Sequence, residues 1–580
     1  MAQVVYQRGG PPLPFGTIDA DEVGTFPLYE GVDPADLGAH EGKALLIVAA
    51  PFNPSTVVTT PGPIPFGSIE GIVANSFDNT GARDTTYPAA THGRTTTPTD
   101  TPAGIYVPGK FSGDVQTQLS LFGGADPMSQ GGTSIGELIL LDPEGELDAL
   151  LDCGWDGADV EIRRGEEASD FSTYDTVAKY CSAGMVGDLR TKSLRLRSLS
   201  WRLEAAELHG NRYLGTGGVE GDSALAGRLK PYTAGYVFNI TPVPINATSL
   251  IVQVSYTSIS GVTAVRDGGV ALAFNADYAT FAALAAATLA PGQYATCLAF
   301  GLIRLGAAPV YGVTCDVQGD ADIIASVIGP TTRAGVVRRI ATALGSVRFS
   351  VTDQIDYRSF QDFENRQPAP VGWYWDGEQA VTKADAITEV LSGCLGWWLV
   401  RPNGQLTIGQ AEDPEAYFAT LTLDYDDGEA RMGEPSITDT IPPRRATFIG
   451  WRRNYTEQRQ DQLATSVTQA DALIYGQPAR YAAYIDLWLG NNYPTSPVVY
   501  LLGNYRDEAD ATAEAQRQTR LHSVTRRRYI LPIVMDPLAD AVGQRTRVAG
   551  LNRLSWGAAK QFLACGIEAA GSDVKLHLWG

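Results

Sequence analysis

The run Thr382 to Gln410, TKADAITEVLSGCLGWWLVRPNGQLTIGQ, constrains this chain more than any other stretch. Thr382 suits a helix N-cap, and Asp385 three residues on makes a capping-box-like pair, with Asp where Glu or Gln is usual. Ile387, Val390, Leu391 and Cys394 share one helical face, and Gly393 supplies a C-terminal stop. Trp397 to Val400 then reads as a strand. Asn403-Gly404 reads as a two-residue turn with positive φ, and Leu406 and Ile408 alternate along the return strand. A short helix on a hairpin cannot bury itself. It needs a scaffold on both sides.

The rest of the chain has to supply that scaffold. Its 580 residues set a prior of about four domains. Gly at 62 positions, above the usual share of about 7%, points to many tight turns and to β structure. The net charge of −21 argues against binding nucleic acid by phosphate neutralisation, which needs a basic surface; solubility alone accounts for the acidity. The six cysteines, at 153, 181, 297, 315, 394 and 565, form no CxxC, and there are five histidines. Scattered buried thiols in a reducing compartment are the expectation, with no metal and no cofactor. MAQVVYQRGG lacks an apolar signal region and no run approaches 18 apolar residues, so a soluble protein made in a cytoplasm is expected. The sequons at Asn239, Asn246 and Asn454 then carry no weight.

In chain order, PPLPFGTID at 11–19 is echoed by GPIPFGSIE at 62–70, read as two edge strands entered through rigid Pro-rich leads. Ala44 to Ala50 is a buried strand, and 79–104 an extended loop. Residues 1–106 form an N-terminal β region. From 107 to 225 the pattern suits a small barrel-like part: Gly136 to Leu141, a short amphipathic helix through Leu147, Leu150 and Leu151, and Val160 to Arg163. A long strand follows through Leu194, Leu196, Leu199, Trp201 and Leu203, whose slip in alternation predicts a β-bulge near Ser198-Leu199. Residues 226–325, low in charge and rich in Ala, Val and Thr, read as an inserted β-rich module, with its own strands and short helix within 231–322. An α+β helix–hairpin domain spans 326–430. It includes a helix at Arg333–Leu344 with Val336, Val337, Ile340 and Leu344 inward, and the aromatic strand Gly372 to Trp375. Residues 431–580 return to strands at Ala446–Trp451, Ala482–Leu489 and Val498–Leu502. A long helix at Asp507–Val524, charged on its outer side, comes next, and then closing strands from Tyr529 to Trp579 around a Pro537–Gly543 turn. The fold class expected is mainly β with α+β parts, multidomain.

Candidate chemistry is thin. Gly132-Thr133-Ser134-Ile135-Gly136 matches GxSxG, but that elbow needs a strand before the Ser and a helix after it. Here a Gly-rich loop precedes and a strand follows, and no His is placed as a base, so Ser134 reads as a loop serine. Asp424 to Glu429 (DYDDGE) lacks the third alternating ligand and the distal Glu of a calcium loop, and reads as a solvated turn. Gly215 to Gly221 (GTGGVEG) misses dinucleotide spacing and reads as a linker. Trp373, Tyr374, Trp375, Trp397 and Trp398 suit packing better than sugar stacking. Arg526-Arg527-Arg528 suits a helix C-terminus and acidic neighbours better than phosphate. No catalytic, cofactor-binding or metal residue is assigned, and no enzyme activity is expected.

Ile355 through Phe360, then GWYW, then GWWLVRPNGQLTIG, together with RRRYILPIVMDPLADAVGQRTRV and FLACGIEAAGSDVKLHLWG near the end, resemble tail hub (baseplate, tail-tip) proteins of tailed bacteriophages. The earlier GELILLDPEGELDALLDCGWDGADVEIRRG and RLKPYTAGYVFNITP are similar to siphophage tail-tip proteins. These runs cover most of residues 107–580. The resemblance implies two related hub-type β-barrels per chain, here in the first 215 residues and in 431–580. It also implies a homotrimer that presents six similar barrels to a sixfold tail tube. The implied partners are distal tail and tail-tube proteins, the tape measure protein, and central fibre or receptor-binding proteins. DNA would pass transiently through the lumen without specific binding, repelled by acidic walls, and the protein would reside in the virion. The rival reading is a receptor- or glycan-binding tail-tip protein; a wall-degrading enzyme fares worst.

Overall fold

A computed structural model describes residues 43–49 and 87–580, apart from 91–92, 100–102, 113–115, 125–126, 128–129, 167–168, 171–172, 322–327, 417, 425–432, 535–540, 551–553, 555, 557–558 and 571–572. The echoed segments at 11–19 and 62–70, most of the acidic turn after Asp424 and most of the Pro537–Gly543 turn lie outside the described residues. The fold is mainly β and multidomain, with several sheets and few helices.

An antiparallel six-stranded sheet runs in the order Tyr87–Ala90, Lys43–Ala49, Asp159–Glu166, Asp175–Gly187, Thr191–Ser198, Glu137–Leu141. Part of the expected 79–104 loop is therefore strand. In Glu137–Leu141 only Leu138 and Leu140 are buried, the alternation of a half-buried strand. The expected long strand through Leu203 is corrected. Its register shift lies between Arg195 and Leu196, the strand ends at Ser198, and Trp201–Glu204 is a helical turn. Leu199 and Leu203 are both buried in one core. A spacing of four fits both a strand face and a helix face, so periodicity alone could not separate them.

Residues 232–320 form most of two five-stranded sheets. The segment is joined to the rest by more than its ends. Tyr232–Ile240 pairs with Val313–Asp320 on one side and with Gly372–Trp375 on the other. Two of the sequon asparagines meet at a second junction, where Asn239 Nδ2 donates to Asn454 Oδ1 at 3.0 Å, both side chains buried.

The helix–hairpin sits where expected. Thr382 Oγ1 accepts from Asp385 N and the capping box closes, starting a helix at Lys383–Ser392 that buries Ile387, Val390 and Leu391. The strands Gly396–Val400 and Leu406–Gln410 pair in register Val400 to Leu406. The turn differs from expectation. Only Gly404 has positive φ, at 85°, and Arg401 N donates to Gln405 O, so three residues close the hairpin. Pro402 restricts that geometry by fixing its own φ, and Gly404 alone takes the left-handed position. The two faces of the hairpin enter different cores. Trp398, Val400, Leu406 and Ile408 join the helices Arg333–Thr342 and Tyr357–Arg366, whereas Trp397 and Leu399 join the C-terminal sheet.

That sheet has Ala559–Ala570 at its centre. Asp573–Trp579 lies on one edge of it, and Arg545–Ala549 and the early strand Gln116–Ser120 share the other. The long helix, Glu508–Leu521, is charged outside as expected, yet it also buries Glu514. Arg517 pairs with Glu514 at 2.7 Å and donates to the carbonyls of Cys394 and Ala411, just before and just after the two hairpin strands, at the open end. Burial disfavours the Arg517 cation, but Glu514 more than offsets this and its pKa is raised.

Lys383 is fully buried and its Nζ donates to the carbonyls of Leu344 and Val347. Burial first, and then Arg348, lower its pKa to about 7. A lysine depressed in the folded state binds fewer protons there than in the unfolded chain, where its pKa is about 10.4. The wild type should therefore gain stability as pH rises from 7 towards 10, relative to Lys383→Met, by up to about 4 kcal/mol. Urea melts of both proteins at pH 7 and 9.5 test this. A difference that stays flat would show that the amine remains protonated in the fold.

Candidate assembly surface

The residues singled out from the sequence disperse in three dimensions. Ser134 lies exposed in the strand Thr133–Ile135, opposite Gln118, with no strand–turn–helix elbow around it. Asp424 ends the strand Leu421–Asp424. GTGGVEG is a compact turn with positive φ at Gly215, Gly217, Gly218 and Gly221, and Glu220 in it binds Lys230 at 2.7 Å. Trp373, Tyr374, Trp397 and Trp398 are buried, and Trp373 Nε1 donates to Glu389. Arg526 does what a residue after a helix is expected to do: its Nε donates to Leu521 O, the last helical carbonyl, and it pairs with Asp413. Arg528 donates to Gly124 O.

The surface that stands out is one that sequence patterns do not mark. Arg480–Ile485, Ala446–Trp451 and Val498–Tyr505 form a three-stranded sheet in that order, the first pair antiparallel and the second parallel. The register places Ile485 opposite Ala446, Ala483 and Tyr500 on either side of Phe448, and Tyr481 opposite Gly450. By alternation these residues, with Val498 and Leu502, lie on one face. None of their side chains is charged. Ile485 is 54% exposed and Tyr500 61%. The other face, through Ile449, Ala482 and Leu501, packs on Ala511 and Ala515 of the long helix.

The exposed face is ordered by its own rings. Phe448 and Tyr500 stack with centroids 4.5 Å apart at 17°, and Tyr481 meets Tyr500 edge-on at 5.7 Å. The strand expected to run to Leu489 stops at Ile485. Asp486 caps a helix, Leu487–Asn492, with Oδ1 accepting from Leu489 N at 3.0 Å. That helix turns Leu487 and Trp488 outward, Trp488 being 64% exposed. An N-cap Asp followed by an apolar run is the signal that marks this boundary. Nothing local marks the exposure, because both faces of the strands read as apolar.

Arg480 and Asp486 bracket the edge strand. The Arg480 guanidinium lies 5.0 Å over the Trp451 ring, and its Nε is buried without a hydrogen-bond partner among the described residues. Burial, and then repulsion from Arg452, lower its pKa. A contiguous exposed apolar face rimmed by polar residues is a candidate interaction site. The arrangement offers a flat, ordered, uncharged platform for another protein surface.

No protein-family model matches the chain, and no curated protein matches it. Among solved structures, the tail protein from Neisseria meningitidis MC58 is similar at 10% identity over 82% of this chain and 93% of its own, with a TM-score of 0.34. A chain of the virion of a native gene transfer agent particle matches at 12% identity over 61% of this chain and 84% of its own, TM-score 0.32. The 43 kDa tail protein of prophage MuSo2 from Shewanella oneidensis matches at 8% identity over 80% and 93%, TM-score 0.28. Likenesses at this level decide neither fold nor role.

Proposed function

We propose that the chain is a structural virion protein of a phage tail tip, a baseplate hub. In this reading copies form a ring that continues the DNA channel and anchors tip and receptor-binding proteins. The divisions at 107–225 and 431–580 would each contribute a hub-type barrel to a homotrimer. The sequence runs quoted above support the family. The observation that carries an assembling role is the uncharged face of the three-stranded sheet, ordered by ring stacking and backed by a helix. Such a face is costly to leave in water and gains when a second protein covers it. The net charge of −21 fits a lumen along which DNA slides without being held.

A low-resolution map of the purified oligomer tests the reading. A threefold ring with a central pore is expected. A monomer at tens of micromolar, with no density for a ring, would overturn it.

A further inference from the structure

The edge strand Arg480–Ile485 has a free side. Asp486 N donates to Arg445 O, and with the register of the sheet this turns the backbone groups of Arg480, Ala482 and Tyr484 inward. In an antiparallel ladder the alternate residues then point the other way. So the N–H and C=O groups of Tyr481, Ala483 and Ile485 face outward, and no described strand pairs with them. The strand, RYAAYI, has none of the usual protection of an edge: no Lys, no Pro and no bulge against its neighbour.

We propose that this edge pairs with the same strand of a second copy, antiparallel, about a two-fold axis at Ala483. Several features of the strand select that partner and that register. Centring on Ala483 joins all the outward residues, Ala483 with its own counterpart and Tyr481 with Ile485 of the second copy. Shifting the centre by one residue leaves one of them unpaired. The same register sets Arg480 opposite Asp486 of the second copy, twice over, so opposite charges meet at both ends. Among the described residues Arg480 makes no ion pair within its own chain, although Glu508 and Asp471 attract it from further off, and the Asp486 cap uses one of its two oxygens. Tyr481 against Ile485 is an aromatic–β-branched pair, and the small Ala483 side chains sit at the axis, where crowding is greatest. A slip between odd and even residues would set the apolar face of one copy beside the helix-covered face of the other.

The result is a six-stranded sheet whose aromatic face is continuous across two copies. The inference rests on reading that face as an assembly surface and does not require threefold closure.

The test is Ala483→Cys in a full-length Cys153→Ser background, the other five cysteines being buried. Paired residues in such a ladder have Cα atoms about 5.5 Å apart, within disulfide reach. Mild oxidation should convert most of the protein to a covalent dimer, whereas Tyr500→Cys, exposed on the far strand, should stay uncross-linked. Ile485→Lys is exposed and should fold normally, yet it should raise the dimer dissociation constant at least tenfold in sedimentation runs. An introduced thiol at position 483 that is reactive but stays uncross-linked, or equal cross-linking at Tyr500→Cys, would overturn the pairing. A threefold ring without the cross-link at 483 would sink this inference alone; the cross-link without a ring would sink the ring.

Discussion

Trp397→Ala and Trp398→Ala should each cost about 3–5 kcal/mol, and each should destabilise both of the large cores. The two residues are adjacent in one strand, so their side chains leave on opposite faces. Trp397 enters the core of the C-terminal sheet, in a slot kept open by two glycines: a Cβ on Gly409 would collide with its ring, and one on Gly543 would lie 2.8 Å from it. Trp398 enters the helical core, with Nε1 donating to Thr388 Oγ1 at 2.9 Å. Because one short hairpin is shared, loosening it on either side removes the wall of the other core. Arg517 strengthens the coupling by clamping the two strands together at the hairpin's open end. Hydrogen exchange should show faster opening in both the Arg333–Thr342 helix and the Arg526–Val534 strand for either variant. If Trp397→Ala leaves the helix amides at wild-type rates, the cores unfold independently and the hairpin does not couple them.

Excising Tyr232–Asp320 and bridging the gap with a short Gly/Ser linker should abolish folded protein. The segment's first strand carries Tyr232 and Ala234 into the largest core and pairs with Gly372–Trp375. Its last residue, Asp320, accepts from Tyr232 Oη and from Arg339. Removal would leave a strand edge unpaired, a cavity where the tyrosine was, and Arg339 without that carboxylate. Each effect costs from about one to several kcal/mol. A trimmed excision of Asn239–Asp316 behaves differently. It keeps Tyr232–Phe238 and Val317–Asp320, the parts of the two strands nearest the main core, and joins Phe238 to Val317 through a two-residue Gly linker beside the paired Val237 and Val317. That protein should be soluble, with a lower melting temperature because Val237 and Tyr374 lose their cover. A wild-type melting temperature for the full excision would show that the first strand contributes nothing to the core.

The helix start at Thr382 was legible because a cap is local: a hydroxyl, a carboxylate and a spacing of three determine it. Gly393 was legible only as a residue type. It was expected as a C-terminal stop and does cap the helix, but its φ is −67°, and the left-handed residue nearby is Leu395, at 54°. Glycine is required at 393 because a Cβ there would lie 2.8 Å from the Cα of Gly503, a contact with a strand more than a hundred residues away. The end of the strand at Ile485 had a local mark in Asp486. The exposure of its outer face had none.

Local chemistry therefore determined the N-caps, the pairing of the hairpin strands, the helical face from Val336 to Ile340 and the mainly β class, since each depends on neighbours within a few residues. Tertiary structure decided which apolar faces are covered. Tyr481, Ala483 and Ile485 alternate with Ala482 and Tyr484 in a strand that is apolar on both sides, and only the helix Glu508–Leu521, lying across one side, distinguishes core from surface. It also decided that Gln116–Ser120 pairs with Ala559–Ala570, more than four hundred residues later. Burial and strand pairing belong to pairs of distant segments, and a period along the chain records only that a face is apolar, not what meets it.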